Sequence, residues 1–257
     1  MSDSLRAVVT GASGGIGRAL ALHLAAQGAH VAGTFRGDDD ARDSFADEVR
    51  AAGGEPLLRS VDVSDRSALS VFGDEAANTF GGIDFWVNNA ARLMVKPFLD
   101  TTEDDWSSLL SVNFLGYVWG CQVAARYMTS QGSGSIVNVS SVVFEQPPTD
   151  LSAYVSAKGA VTGLTRALAV ELGPAGVIVN AVSPGATDTP LNDAAWTDSV
   201  RENYLRRIPA RRIGSPEEVA AAIALLAQPG ARYVTGQVIR ADGGLVLDGS
   251  VGHEQTQ

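Results

Sequence analysis

Short apolar runs recur along the chain near residues 5–10, 29–35, 56–61, 84–88, 135–139, 177–182 and 236–240. Between them, apolar positions repeat at helical spacing, as with Ile16, Leu20 and Leu24, flanked by Ala19 and His23. Apolar-rich runs without a strict polar alternation read as strands buried on both faces. Strand-like and helical segments in strict alternation predict an α/β fold: a single-domain, doubly wound parallel sheet of about seven strands with helices on both faces. Right-handed crossovers then bring the loops at the strand C-termini to one edge, where such sheets bind ligands. No repeat, long linker or low-complexity tract divides residues 1–257. The stretch 187–212 breaks the rhythm, being far longer than an ordinary connection. Leu191, Trp196, Tyr204 and Leu205 give it an apolar side, so it is expected to be either a lid over a substrate or a surface helix packed on the body.

At 257 residues and 45% hydrophobic, the chain can bury one substantial core. The net charge of −10 disfavours nucleic acid, whose binding depends on neutralising phosphates with Lys and Arg. A single cysteine, Cys121, excludes an internal disulfide, and His23, His30 and His253 are too scattered for a metal site, so no metal is expected. No signal-peptide pattern and no 18-residue apolar run occur, which points to a cytoplasmic protein without a membrane span.

Two local patterns carry chemistry. The first strand leads into Gly11-Ala12-Ser13-Gly14-Gly15-Ile16-Gly17 and then a helix. Glycines let backbone approach a pyrophosphate, and a helix N-terminus offers free N–H groups and a positive dipole end. The second is Tyr154-Val155-Ser156-Ala157-Lys158. Positions four apart share a helix face, so a phenol and an ammonium project together. A neighbouring cation favours phenolate and is expected to draw the phenol's pKa down from about 10, making a tuned general acid/base.

With those motifs on the page, the chain resembles the short-chain dehydrogenase/reductase family from roughly Leu5 to Gly244, close in pattern to 3-oxoacyl carrier-protein reductases and bacterial alcohol and sugar dehydrogenases. Thr10 to Gly17 matches the family's cofactor turn, Asp62-Val63 its adenine contact, and Asn88-Asn89-Ala90 its strand-four signature, with Ala91 where glycine is usual. Asn180, Pro184-Gly185 and Asp242-Gly243-Gly244 match its C-terminal signatures. The resemblance implies a Rossmann-type fold and hydride transfer between a nicotinamide nucleotide and a carbonyl or carbinol carbon. It implies a catalytic set of Asn113, Ser141, Tyr154 and Lys158, with Tyr154 exchanging the proton, Lys158 tuning it and bonding the nicotinamide ribose, Ser141 on the substrate oxygen, and Asn113 holding a water that links Lys158 to solvent. The implied cofactor-binding residues are Gly11, Ser13, Gly15, Ile16, Gly17, Arg36, Asp62, Val63, Asn89, Ala90, Tyr154, Lys158, Pro184, Gly185, Thr187 and Thr189. Phe35 occupies the place of the NAD-type acid and Arg36 the neighbouring place typical of NADP enzymes, so NADP(H) is favoured over NAD(H). Relatives pair helices like those near 103–129 and 154–172 in homotetramers, and a homotetramer is expected.

Other readings stay open. The segments 129–134 and 173–176, which in carrier-protein reductases carry basic residues, are uncharged here. A small free ketone or secondary alcohol is therefore preferred over an acyl-carrier or acyl-CoA thioester, and an NAD-dependent sugar or polyol dehydrogenase is a further alternative. Arg206, Arg207, Arg211 and Arg212 leave room for an anionic substrate, and Met94, Phe144, Gln146, Pro147 and Trp196 are candidate pocket walls. Gly11 to Gly15 also fits the G-x-S-x-G elbow of serine hydrolases, but only His253 follows late enough to serve as base.

Overall fold

The computed structural model describes residues 4–35, 39–193 and 195–247. Arg36 and His253 therefore lie outside the described residues. The seven strands are β1 (Arg6–Val9), β2 (His30–Phe35), β3 (Glu55–Ser60), β4 (Phe85–Asn88), β5 (Gly134–Val139), β6 (Val177–Pro184) and β7 (Val238–Ala241). They form one parallel sheet in the order β3-β2-β1-β4-β5-β6-β7. Each lies within a residue or two of the apolar run that predicted it.

The main helices are α1 (Gly15–Ala25), α2 (Asp39–Ala51), α3 (Arg66–Phe80), α4 (Glu103–Leu110), α5 (Gly116–Gln131) and α6 (Ser152–Leu172). After β6 come α7 (Pro190–Asp193), α8 (Asp198–Arg207) and α9 (Pro216–Ala224). Alternate residues of each strand enter opposite cores. Ala7, Val9, Phe85, Val87 and Val137 pack with α1, α2 and α9, while Val8, Trp86 and Ile136 pack with α3, α5 and α6. Burial on both faces is why the strands read as continuous apolar runs.

A buried polar network locks β4, β5 and α6 together. Asn88 Nδ2 donates to Asn138 Oδ1 at 2.9 Å, and Asn138 Nδ2 donates to Thr165 Oγ1 at 3.0 Å. Trp86 Nε1 donates to Asn88 Oδ1 at 2.8 Å. Cys121 packs against both amides, and burial pushes its thiol up to about 12, so it is an inert packing residue.

The strand order reverses between β1 and β4, and the site lies at that switch point. Asn89 staples it: its Nδ2 donates to the Thr10 and Gly11 carbonyls at 3.0 and 3.1 Å, while the Asn89 and Ala90 N–H groups donate to Thr10 Oγ1. The stretch 187–212 is helical for much of its length. Trp196 and Tyr204 pack against the buried cluster of Val142, Ala186, Ile208 and Leu245. Beneath it, Asp242 accepts from the Gly244 and Val246 N–H groups, and the Gly243 carbonyl accepts from Ala210 N–H at 3.1 Å. A Cβ at Gly243 would stand 2.8 Å from Ile208, so the Asp242-Gly243-Gly244 turn fits closely under the segment.

Candidate active site

A groove of about 1010 Å³ opens over the C-terminal ends of β1, β2, β3 and β4. Gly11, Ser13, Gly15 and Ile16 form one wall, Asp62 and Val63 another, and Asn89, Ala90 and Thr189 complete it. Gly11 and Gly15 have φ of +67° and +52°, left-handed conformations that favour glycine. A Cβ on Gly17 would lie 2.2 Å from the Gly11 carbonyl oxygen, so α1 can meet the turn only with glycine there. Gly14 caps α1 without a side-chain hydrogen bond, leaving the leading N–H groups of the helix open to the groove.

The groove runs into a deeper cavity of about 310 Å³, the two sharing Ile16, Asn89, Ala91, Leu93, Thr189 and Leu191. Ser141, Tyr154, Lys158, Pro184, Gly185 and Thr187 all line the deeper cavity. Ser141 caps the turn after β5, its Oγ accepting from Val143 N–H. Its hydroxyl neighbours the Tyr154 phenol and acts to lower that group's pKa. Asn113 is fully buried in a π-helical turn, residues Ser111–Leu115, between α4 and α5. Its amide bonds both sides of Arg92's backbone, accepting from N–H at 2.9 Å and donating to C=O at 2.8 Å. Both ends of that side chain are thus engaged with the Arg92 backbone at the groove wall.

The expected acidified phenol is not found. Burial pushes Tyr154 up to about 12, the neighbouring Ser141 hydroxyl pulling it part of the way back. Burial pushes Lys158 down to about 7. The cause is geometric: Lys158 Nζ donates to the Val139 carbonyl at 2.7 Å and to Tyr117 Oη at 3.0 Å, and sits 5.6 Å from the centre of the Tyr154 ring. Tyr117 was missed by sequence reading. It stands four residues after Asn113, on the same helix face, which is the signal that would have found it.

A buried base with a lowered pKa has a stability consequence. Between about 7 and its ordinary value of 10.5, Lys158 binds fewer protons folded than unfolded. Its contribution to stability therefore rises with pH across that window. Urea midpoints at pH 7 and pH 9.5 should rise with pH in the natural protein, and Lys158→Met should flatten that rise.

Of the anticipated walls, Trp196 lines the cavity, while Met94, Phe144, Gln146 and Pro147 do not. Met94 packs beside Leu109, and Gln146 is turned away to bond Val246 and Arg207. The walls include Leu93, Val95, Val143, Leu151, Trp196 and Tyr204, a mainly apolar lining in which Thr149, Asp150 and Asn192 are polar. Arg206, Arg207, Arg211 and Arg212 bond Asn203, Gln146, the Arg206 carbonyl and Glu218 respectively, and none lines the cavity.

The family model described as Enoyl-(Acyl carrier protein) reductase matches residues 11–246. The chain is 36% identical over 252 residues to 3beta-hydroxysteroid dehydrogenase 1 of Eggerthella lenta, covering 96% of this chain and 97% of that one. It is 36% identical to a 3-oxoacyl-(acyl-carrier-protein) reductase of Staphylococcus aureus, covering 96% of this chain and all of the other. Among solved structures, a 7α-hydroxysteroid dehydrogenase complexed with NADH and 7-oxo glycochenodeoxycholic acid superposes with a TM-score of 0.90 at 31% identity, covering 94% of each chain. The chain belongs to the short-chain dehydrogenase/reductase family, and is an oxidoreductase of the class that acts on alcohol and carbonyl groups.

Proposed function

We propose that the protein is an NADP(H)-dependent ketoreductase, or secondary alcohol dehydrogenase, of a small and mainly apolar substrate, with Tyr154 as general acid/base. The observation that carries this reading is the meeting of Ser141, Tyr154 and Lys158 in an apolar cavity continuous with a glycine-walled groove. The groove suits a dinucleotide: Gly11 and Gly15 keep side chains out of it, and uncapped N–H groups of α1 face the place of a pyrophosphate. Ser13, Ile16, Asp62, Val63, Asn89, Ala90 and Thr189 line the groove, Pro184, Gly185 and Thr187 line the deeper cavity, and Gly17 lets α1 meet the turn. When bound, the nicotinamide supplies the hydride in reduction and takes it up in oxidation.

Tyr154, protonated throughout the neutral range, gives its proton to the carbonyl oxygen during reduction and takes one back from the carbinol during oxidation. Ser141 holds that oxygen and the phenol in one hydrogen-bonded set. Lys158 supplies positive charge behind them and reaches the nicotinamide ribose. Asn113, tied to the Arg92 backbone, holds the wall of the groove and fixes the π-turn from which α5 departs.

The preference for NADP(H) rests on Arg36, together with the end of β2. Phe35, in the place an acid would take, is buried and stacks on Phe45 at 6.3 Å. Asp39 opens α2 and pairs with Arg42 at 2.6 Å. The apolar walls favour a free ketone over a sugar, and the uncharged segments 129–134 and 173–176 disfavour an acidic carrier protein. The stretch 187–212 is assigned as the substrate lid, since Trp196 and Tyr204 form part of the cavity. A cytoplasmic homotetramer completes the proposal; no helix among the described residues is long and apolar enough to cross a membrane.

A panel of ketones, sugars and 3-oxoacyl thioesters, assayed with NADPH and NADH, tests the reading. Turnover is expected with apolar ketones, at a kcat/KM roughly tenfold or more higher with NADPH, the gain of a charge-assisted guanidinium–phosphate pair. A preference for NADH overturns the cofactor assignment, and turnover confined to carrier-protein thioesters overturns the substrate class.

A further inference from the structure

We propose that Tyr117 is a positioning residue for Lys158, its phenolic oxygen holding the lysine ammonium at the end of β5 and fixing where that charge stands behind Tyr154. The inference rests on the hydride-transfer reading for its consequence in catalysis, but its central contact is read without any substrate.

Three atoms close a triangle. Tyr117 Oη donates its hydrogen to the Val139 carbonyl at 3.0 Å. Its lone pair then faces Lys158 Nζ, which donates to it at 3.0 Å and to the same Val139 carbonyl at 2.7 Å. Tyr117 and Lys158 are both almost completely buried. A buried ammonium must find acceptors inside the protein, and here it finds two, neither charged. One is backbone and cannot be lost by mutation; the other is Tyr117.

The remaining groups around Lys158 do not replace that contact. Tyr154, from the same helix, presents its ring face with the centroid 5.6 Å from Nζ, and its phenol makes no hydrogen bond to the ammonium. Cys121, one turn beyond Tyr117 on α5, bonds the Asn88 and Asn138 amides. Burial holds the Tyr117 phenol well above its ordinary pKa, so it stays a neutral hydroxyl that can donate to Val139 while accepting from Lys158. Removing its oxygen takes one of two acceptors from the ammonium while leaving the ring in place. The charged form then loses stabilisation and the side chain loses its fixed bearing.

The chain has two lysines, Lys96 and Lys158. Lysine labelled with 13C at Cε therefore gives two side-chain signals, and Lys96, paired with Asp105 at the surface, is an internal reference. In Tyr117→Phe the Lys158 titration is expected to move down by about one pH unit, the size of one hydrogen bond to a charged group, with Lys96 unmoved. Turnover should follow, with kcat lower by about tenfold, substrate KM within about threefold, and the alkaline limb of the kcat profile displaced to lower pH. In a Lys158→Met background the same substitution should change nucleotide affinity by less than about twofold, because the partner through which it acts is gone.

An unmoved Lys158 titration overturns the proposal. So does an equal effect of Tyr117→Phe on nucleotide affinity with and without Lys158, which would mark a purely structural residue. Should Tyr117→Phe fail to fold, 3-fluorotyrosine at position 117 keeps ring and hydroxyl but makes the oxygen a poorer acceptor; the Lys158 titration should again move down, and an unmoved one overturns the proposal. A protein that turns over no alcohol or ketone, yet shows the shifted titration, would refute the hydride-transfer reading and leave this contact standing.

Discussion

Tyr154→Phe is expected to remove most turnover while leaving the nucleotide bound. The Tyr154 ring packs with Leu109, Ala153 and Ala157, and that packing does not involve the hydroxyl. The substitution therefore keeps the cavity's shape and deletes the one group placed to exchange a proton with the substrate oxygen. General acid/base groups contribute about 10²- to 10⁴-fold, so kcat should fall by that much, with nucleotide Kd changed by less than about threefold. The natural protein adds a directional signature. With the phenol held up at about 12, its proton is available for reduction at every ordinary pH. Oxidation needs the deprotonated form, so its rate should climb with pH across the neutral and mildly alkaline range while reduction does not. Steady-state kinetics in both directions, with nucleotide binding followed by fluorescence, decide the matter. A variant with near-normal kcat would remove Tyr154 from the chemistry.

Why some of this was legible in sequence and some was not follows from the range of the interactions. Strand positions are encoded locally, because Val8 and Trp86 face one core while Val9 and Val87 face the other, so no regular polar alternation breaks up the run. The glycine turn is legible for the same reason: the left-handed φ at Gly11 and Gly15 is a property of those residues themselves. The direction of the Lys158 ammonium is not local. Helical spacing correctly puts Tyr154 and Lys158 on one face, but it does not say that Val139, on β5, and Tyr117, on α5, offer nearer oxygens. The sign of the Tyr154 shift went the same way, since burial depends on everything packed around the ring.

The pocket walls show the same limit. Met94 and Leu93 are neighbours, yet Leu93 lines the cavity and Met94 packs beside Leu109. In an irregular segment there is no period to tell one side from the other. Trp196 was found because it is the largest apolar side chain of the long connection, and it packs with Tyr204 against the buried cluster beneath it, whereas Leu191 and Leu205 stay exposed.

Gly17→Val is expected to be the most damaging single change in the groove. A Cβ there would lie 2.2 Å from the Gly11 carbonyl oxygen and 2.5 Å from Asn89 Nδ2. Neither neighbour can yield cheaply. The Gly11 carbonyl belongs to the turn itself, and Asn89 Nδ2 bonds both Thr10 and Gly11, tying β4 to β1. The first turn of α1 must therefore lift away from the strand end, carrying with it the N–H groups aimed into the groove. Overpacking of this kind costs about 1–3 kcal/mol, and each kcal/mol lowers Tm by about 2–4 °C in a chain of this size. Displacing binding groups by about an ångström can cost 10²-fold in function, so nucleotide affinity should fall by more than the fold loses in stability. Gly230→Ala is the matched control, because a Cβ there meets nothing within 4 Å. Nucleotide titration and thermal melting of the two variants should separate cleanly, with Gly230→Ala unchanged in both; a Gly17→Val protein that bound nucleotide normally would place the dinucleotide somewhere other than this turn.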